Sequence, residues 1–181
     1  TEYEYDDVGN RILWVKPEGN KEAWTYNERD LVVAHVRGYT DSDASTRSYA
    51  YDDNGNLTVL TNGRGYGTTM SFDAFDRRTK VTNAGGHYTE LALDELGQVT
   101  EIASYDSSHN LLQRESRYYD ERGRLWKTSG LRKDPSTTYS DAVTTYSRLK
   151  TGQVATVTDA VSSVTTNTYD VVDTEDLSER L

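Results

Sequence analysis

A short phrase of residues returns along this chain and constrains its fold more than any other feature. An aromatic residue is followed by Asp, two variable residues, Gly and then a polar residue. The clearest copies are Tyr5-Asp6-Asp7-Val8-Gly9-Asn10, Tyr51-Asp52-Asp53-Asn54-Gly55-Asn56 and Tyr119-Asp120-Glu121-Arg122-Gly123-Arg124. Self-similarity of this kind indicates that one small structural unit is stacked many times.

Weaker copies of the phrase fill the gaps between the clear ones. They begin at Tyr26, Phe72 and Leu93, so the anchors at 5, 26, 51, 72, 93 and 119 are 21, 25, 21, 21 and 26 residues apart. Because no shift in composition interrupts the series, we expect residues 1–181 to form a single repeat array. The chain starts inside a unit, and we therefore expect it to be a fragment of a longer protein.

The later part of the chain keeps the theme but loosens it. Two further units are anchored near Tyr146 and Tyr169, and the first of them is interpreted as having two residues inserted before its Gly. We expect residues 104–113 and 129–144 to be longer loops, because the first is polar and the second contains Asp-Pro-Ser. The tail, residues 173–181, could fray or form a short helix.

Each unit is predicted to be a strand, a turn, a return strand and a second turn. Within residues 46–63, Tyr49 and Tyr51 alternate onto one face of a strand. Asp52 and Gly55 belong to the turn, since Asp accepts hydrogen bonds from nearby amides and Gly adopts positive φ without steric cost. The fold class is therefore all-β, a repetitive antiparallel β-meander.

Apolar residues three apart follow several turns, as with Leu57 and Leu60. A spacing of three is out of phase with strict alternation, so we expect a β-bulge or bend near each turn and a strongly curved sheet. The residues predicted to define the repeat structurally are Tyr5, Asp6, Gly9, Tyr51, Asp52, Gly55, Phe72, Asp73, Asp94, Gly97, Tyr119, Asp120 and Gly123.

Composition excludes several classes of protein. The chain has no cysteine, which removes disulfides and cysteine–zinc sites. It has no apolar run long enough for a membrane span, and its net charge of -10 argues against nucleic acid as a partner. The same charge and the hydrophobic content of 34% would suit disorder, but 14 Tyr and only 2 Pro favour strands instead.

The phrase resembles the YD repeat of the Rhs family, which also occurs in wall-associated proteins, insecticidal toxin complexes and teneurins. It is seen here as Tyr3-Glu4-Tyr5-Asp6-Asp7-Val8-Gly9-Asn10, Tyr49-Ala50-Tyr51-Asp52-Asp53-Asn54-Gly55-Asn56 and Tyr118-Tyr119-Asp120-Glu121-Arg122-Gly123-Arg124-Leu125. The resemblance covers about residues 3–170. One copy would be weak, whereas several copies in register are fairly specific.

The resemblance implies a function as well as a fold. In that family the repeats spiral into a hollow β-shell, which encloses a toxic C-terminal segment or serves as an extracellular scaffold. It implies a non-catalytic structural segment without cofactor, partnered by further YD repeats and an enclosed toxin or effector, and secreted or on the surface of a bacterial cell. The family's self-cleaving plug carries an Asp-Pro-x-Gly-Leu phrase, but Asp134-Pro135-Ser136-Thr137-Thr138 does not match it. No cleavage residues are carried over.

Two other binding hypotheses stay open at this stage. Regularly spaced aromatic rings could stack on sugars, which would make the chain a carbohydrate- or cell-wall-binding module, although cross-strand aromatic packing is the simpler interpretation. The candidate glycan contacts are Trp24, Tyr26, Tyr49, Tyr118 and Trp126. In addition, the open edges of an isolated sheet invite pairing with another chain, so self-association through edge strands is predicted.

Other chemistries receive little support from the sequence. The stretch from Asp52 to Asn56 superficially resembles a calcium loop, but it lacks the later Glu that such loops need. His35, His87 and His109 are far apart and match no metal or catalytic spacing. The glycine-rich stretch 63–67 lacks the ending of a phosphate loop. Metal, cofactor and catalytic residues are therefore not predicted.

Overall fold

The repeated units fold as hairpins of short strands. The computed structural model of the protein describes residues 1–133, 139–159 and 163–167, and these residues contain no helix. The strands are β1 (Glu2–Tyr5), β2 (Arg11–Val15), β3 (Lys21–Tyr26), β4 (Val32–Arg37), β5 (Ser45–Tyr51), β6 (Leu57–Thr61), β7 (Gly67–Phe72), β8 (Arg78–Thr82), β9 (Tyr88–Leu93), β10 (Val99–Tyr105), β11 (Leu111–Tyr119), β12 (Leu125–Lys133), β13 (Tyr139–Arg148), β14 (Val154–Thr158) and β15 (Val164–Thr166).

The chain divides into two compact units, Thr1–Leu112 and Gln113–Leu181. In the first unit, β1 to β10 form an antiparallel meander in which every strand pairs with the next one along the chain. In the second unit, β12 pairs with β11 and β13, and β14 pairs with β13 and β15, again antiparallel. The predicted all-β meander is confirmed.

Bulges occur at alternate hairpins of the meander. The pairing register shifts in the hairpin that follows each anchor residue, as between Ala50 and Tyr51, where Thr58 has no directly opposed partner. The hairpins between these show no shift. The expected bulges are thus present, but at every second turn. Thr58 lies at the bulge and its hydroxyl donates to the carbonyl of Ala50 at 3.2 Å. The threonines at the next two bulges make the same bond with the equivalent strands.

The bulge explains the spacing of three between apolar residues. Tyr51 lies opposite Leu57 and Tyr49 lies opposite Leu60. Since directly opposed residues share a face, Leu57 and Leu60 both lie on the face of the two tyrosines. The extra residue at the bulge, Thr58, lets Leu57 and Leu60 lie on the same face, whereas strict alternation would place residues three apart on opposite faces.

The first unit has almost no core. Among the described residues only Ala103 and Glu22 are buried, and no large side chain is fully enclosed. Within Thr1–Leu112 each strand contacts only the strands next to it in sequence. A sheet with no second layer keeps both faces partly in contact with water. The low hydrophobic content of the chain, 34%, is suited to such a single-layer sheet.

The prediction of two long loops from composition is wrong for the residues that the structure describes. Residues 104–113 contain the end of β10, a tight turn and the start of β11. That turn repeats the Tyr–Asp phrase as Tyr105-Asp106, with His109 at φ 64 in the place usually taken by Gly. In residues 129–144, β12 extends to Lys133 and β13 begins at Tyr139. The Asp-Pro-Ser segment, the anchor at Tyr169 and the tail lie outside the described residues.

Candidate functional site: the tyrosine–aspartate edge

The repeated phrase builds a five-residue turn. In the turn from Asp52 to Asn56, the amide of Asp52 donates to the Asn56 carbonyl at 3.0 Å and the amide of Gly55 donates to the Asp52 carbonyl at 3.1 Å. Oδ1 of Asp52 accepts from the amides of Asn54 and Asn56 at 3.1 and 2.8 Å. Gly55 has φ 91. The loop itself has three residues, 53–55, and Gly55 is the left-handed fourth residue of the five-residue turn. The carboxylate satisfies amides that the ladder leaves unpaired.

The same turn recurs along the chain at both ends of the strands. The same pair of backbone bonds closes turns that begin at Asp6, Lys16, Asn27, Asn62, Asp73, Asn83, Asp94, Asp106, Asp120 and Leu149. The turns beginning at Asp6, Asn27, Asp52, Asp73 and Asp94 lie on one edge of the first unit, here called the tyrosine–aspartate edge. The predicted glycines Gly9, Gly55, Gly97 and Gly123 all occupy the left-handed fourth position.

Each anchor residue is the last residue of the strand that enters its turn. The anchors in these positions are Tyr5, Tyr26, Tyr51, Phe72, Leu93 and Tyr119. Two of them reach the neighbouring hairpin, because the hydroxyl of Tyr26 donates to the carbonyl of Arg11 and that of Tyr51 to the carbonyl of Val32, both at 2.9 Å. Each acceptor lies six residues after the preceding anchor. At these two units the tyrosine anchor joins consecutive repeats as well as ending a strand.

The unit placed near Tyr146 is shifted by two residues in the structure. Its turn begins at Leu149, so Arg148 occupies the anchor position and no residues are inserted. Nη2 of Arg148 donates at 2.9 Å to the carbonyl of Leu125, which again lies six residues after the preceding anchor, Tyr119. The guanidinium of Arg148 makes the bond that a tyrosine hydroxyl makes elsewhere, and the aromatic pattern of the sequence gives no sign of it.

Arginine side chains connect neighbouring turns of the edge. Arg29 donates to the carbonyls of Asp52 and Asp53 at 2.8 and 2.6 Å. Arg77 donates from Nη1 to the Asp94 carbonyl at 2.7 Å and also holds the carboxylate of Asp73. Consecutive turns are therefore joined by direct side-chain bonds as well as by the strands behind them.

Hydrogen bonds lower the pKa of three of the turn carboxylates, Asp120, Asp73 and Asp52. The side chain of Arg124, followed by its backbone amide, lowers the pKa of Asp120 to about 2. The side chain of Arg77 likewise lowers the pKa of Asp73. For Asp52, burial would raise the pKa, but the side chain and amide of Asn56 outweigh it and the pKa is lowered. Acceptance of several N–H bonds favours the charged form in each case.

The candidate glycan contacts fall into two groups. In the first unit, Trp24 is stacked on His35 at 4.8 Å between ring centroids, and the guanidinium of Arg11 lies 4.3 Å from the Trp24 ring centroid. In the second unit, Tyr118 and Trp126 are 41% and 43% exposed. Tyr26 and Tyr49 are half-buried on the anchor face of the first unit. A role for these residues in binding glycans stays a prediction.

A buried ionic cluster escaped the sequence reasoning. Glu22 is only 8% exposed, and its carboxylate oxygens lie 2.8 Å from Nζ of Lys16 and 2.8 Å from Nε2 of His35. The Lys16 bond lowers the pKa of Glu22 against the opposing effect of burial, and His35 adds to the lowering. The three residues come from two strands and one turn, so only the pairing register brings them together.

Two features of other kinds of site are lacking in the described residues. No group of three or more of them could hold a metal ion through His, Asp or Glu side chains. Within the described ranges no helix is long and apolar enough to cross a membrane. Nδ1 of His109 lies 3.0 Å from the Tyr88 hydroxyl, so this histidine contributes to local packing.

A single-layer meander with one turn repeated at intervals defines a structural repeat protein. Residues 51–88 match the family model described as RHS Repeat. The chain carries an RHS repeat in this segment, which confirms the resemblance inferred from the tyrosine–aspartate phrase. A search of the curated proteins found no match.

One solved structure shares the fold of this chain. The chain is similar to one chain of "Crystal Structure of TcdB2-TccC3-Cdc42", with a TM-score of 0.69 and 13% identity over 87% of this chain and 9% of that chain. At this identity the likeness concerns the fold, and the chain spans about a tenth of that protein's length. "Structure of Photorhabdus luminescens Tc holotoxin pore, Mutation TccC3-D651A" matches over 83% of this chain and 11% of that chain at 12% identity, but its TM-score of 0.38 is too low to support an argument.

Proposed function

We propose that this chain forms part of the wall of a β-shell that encloses a toxin or effector segment. The observation that carries the proposal is the tyrosine–aspartate edge, where bonds such as Arg29 to Asp52 join each turn to the next. Units that hold one another in this way can extend a sheet without a conventional core. The almost complete lack of buried residues in the first unit supports a wall rather than a globule.

The comparisons support this proposal in outline. RHS repeats are structural elements, and the similar fold occurs in a structure whose title names TcdB2, TccC3 and Cdc42. On that basis we propose that the chain itself is not catalytic. Its partners would be further repeats of the same protein and the enclosed segment. The location would be secreted or at the surface of a bacterial cell.

The two faces of one strand provide a direct test of enclosure. Thr68 and Thr69 are neighbours in β7 and therefore point to opposite faces of the sheet. This chain contains no cysteine, so Thr68→Cys and Thr69→Cys each introduce its only thiol, and any cysteine elsewhere in the full protein would first be replaced by serine. The rate of reaction with a bulky polyethylene glycol maleimide would be measured in the full protein that carries this chain, before and after unfolding in urea.

A shell predicts one protected face. In the folded full protein, one of the two thiols should react at least about tenfold more slowly than the other, and both should react equally after unfolding. The chain expressed alone is the matched control, because both of its faces meet water. Equal rates at both thiols in the folded full protein would contradict enclosure.

The exposed pair Tyr118 and Trp126 gives one observation in favour of the carbohydrate-binding alternative. If this alternative is correct, Trp126→Ala should lose retention on insoluble polysaccharide, while Trp24→Ala, whose ring is already occupied by His35 and Arg11, should keep it. Nitration that spares the tyrosines of the folded chain would argue against this alternative.

A further inference from the structure

Two turns of the tyrosine–aspartate edge place an aspartate where the other turns place a glycine. Asp30 has φ 57 and Asp76 has φ 59 at the fourth turn position, which is Gly55 and Gly97 in the turns that follow them. An L-residue in the left-handed region is strained relative to glycine, although Asp tolerates it better than most. Because the same backbone strain occurs at Asp30 and at Asp76, we expect an interaction at each that offsets it.

Both aspartates accept amide hydrogen bonds from the preceding turn. Nδ2 of Asn10 donates to Oδ1 of Asp30 at 2.8 Å. Nδ2 of Asn56 donates to Oδ1 of Asp76 at 2.6 Å, and Asn54 adds a second bond at 2.8 Å. Each left-handed aspartate is thereby tied to a turn about twenty residues earlier in the chain.

The asparagine that donates these bonds is held in place by its own turn. Nδ2 of Asn10 also donates to Oδ2 of Asp6 at 3.2 Å, and Nδ2 of Asn56 to Oδ2 of Asp52 at 3.1 Å. An amide nitrogen carries two hydrogens, so each is matched to one of the two carboxylates. The fifth-position Asn of one turn thus bridges the first residue of its own turn and the fourth residue of the next.

The other junctions of the edge use a different pairing. The turn before Gly55 ends in Leu31, and the turn before Gly97 ends in Arg77. At these junctions Arg29 or Arg77 donates to backbone carbonyls of the following turn. When the fifth residue of a turn is Asn, the fourth residue of the next turn on the edge is Asp. When the fifth residue is Leu or Arg, the fourth residue of the next turn is Gly. The two kinds of junction alternate from Asn10 to Gly97.

We infer that the Asn–Asp pair is a matching rule that specifies which turn stacks on which along the edge. A left-handed Asp is favourable only behind an Asn, and a turn that ends in Leu or Arg requires Gly behind it. Similar repeats are prone to pairing with the wrong neighbour, and a contact that is costly when mismatched counteracts this. The inference rests on the proposed function in one respect, that the repeats form a wall. It concerns the order in which the turns stack along that wall.

Moving the pair to another junction tests the rule. A Cβ built on Gly55 would lie 3.9 Å from Cδ1 of Leu31, which is ordinary contact and the proximity that the pair requires. Gly55→Asp alone should lower the folding equilibrium constant of the chain. Adding Leu31→Asn to Gly55→Asp should recover it by about fivefold, the value of one hydrogen bond. Leu31→Asn without Gly55→Asp should give no such gain.

The native pair supplies a second, independent cycle. Asp76→Gly, Asn56→Leu and the double variant introduce residues that the chain already uses at these positions in other turns. Urea denaturation of the whole chain should show a coupling of about fivefold between the two sites, with Asp76→Gly destabilising even though it relieves the strained φ. Additive effects, or stabilisation by Asp76→Gly, would overturn the inference whatever the transplant does. Because unfolding of the chain does not depend on enclosure, failure here is distinguishable from failure of the proposed function.

Discussion

Two glycines in one hairpin separate backbone strain from packing. Gly65 has φ 81, and no heavy atom lies within 4 Å of a Cβ built there. Gly65→Ala therefore introduces no collision, and its cost is that of a left-handed L-residue, about 1–2 kcal/mol. Gly67, at the start of β7, lies outside the left-handed region, and its nearest atom would be Oγ1 of Thr61 at 4.0 Å. Gly67→Ala should stabilise by about 0.4–1 kcal/mol, because it restricts the unfolded chain.

Urea denaturation converts these energies into midpoints. With a slope of about 2 kcal/mol per molar urea, Gly65→Ala should lower the midpoint by about 0.5–1 M and Gly67→Ala should raise it by about 0.2–0.5 M. Far-ultraviolet circular dichroism and tryptophan fluorescence should be followed together, since coincident curves justify a single transition.

The opposite signs are the critical outcome of this pair of variants. Both introduce the same methyl group two residues apart, so a general effect of alanine on the hairpin would move both midpoints in the same direction. Unchanged or raised stability of Gly65→Ala would refute the claim that the fourth turn position selects glycine for its backbone conformation.

Three further outcomes are expected. The pKa of Asp120 is lowered to about 2 in the folded chain, so its ionised carboxylate stabilises the fold fully above its ordinary pKa near 4, and this stabilisation is lost as pH falls towards 2. Thermal unfolding between pH 5 and pH 2 should show this loss, and Asp120→Asn should make the unfolding temperature depend less on pH. Tyr51→Phe removes the bond to the Val32 carbonyl and should cost about 1 kcal/mol in urea unfolding, whereas a similar loss in Tyr49→Phe would contradict that assignment. Glu22→Gln leaves the Lys16 ammonium without its carboxylate and should cost about 2 kcal/mol, while the same change at exposed Glu28 should have no measurable effect.

Turn chemistry is the part of this protein that could be predicted locally. Asp52 and Gly55 act within five residues, and their types alone indicate a carboxylate acceptor and a left-handed backbone. The phase of the bulge was equally accessible, since Leu57 and Leu60 must share a face. Such features depend on neighbours in sequence, so a repeated phrase is sufficient to predict an all-β meander.

Substitutions within the phrase limited the prediction. His109 fills the left-handed position of a turn, and this hid a tight hairpin behind the appearance of a polar loop. Arg148 takes the place of an aromatic anchor, so the unit was placed two residues too early. In both cases a different side chain meets the same backbone requirement, and residue identity alone does not reveal it.

Sequence alone determined the class of this protein, because the period, the turn residues and the apolar spacing each act over a few residues. Only the tertiary structure decided which side chains meet across turns and strands. The pairing of Asn56 with Asp76 and the cluster around Glu22 join residues from different turns and strands. Their contact depends on a pairing register that the bulges shift at alternate hairpins, and register is a property of the assembled sheet.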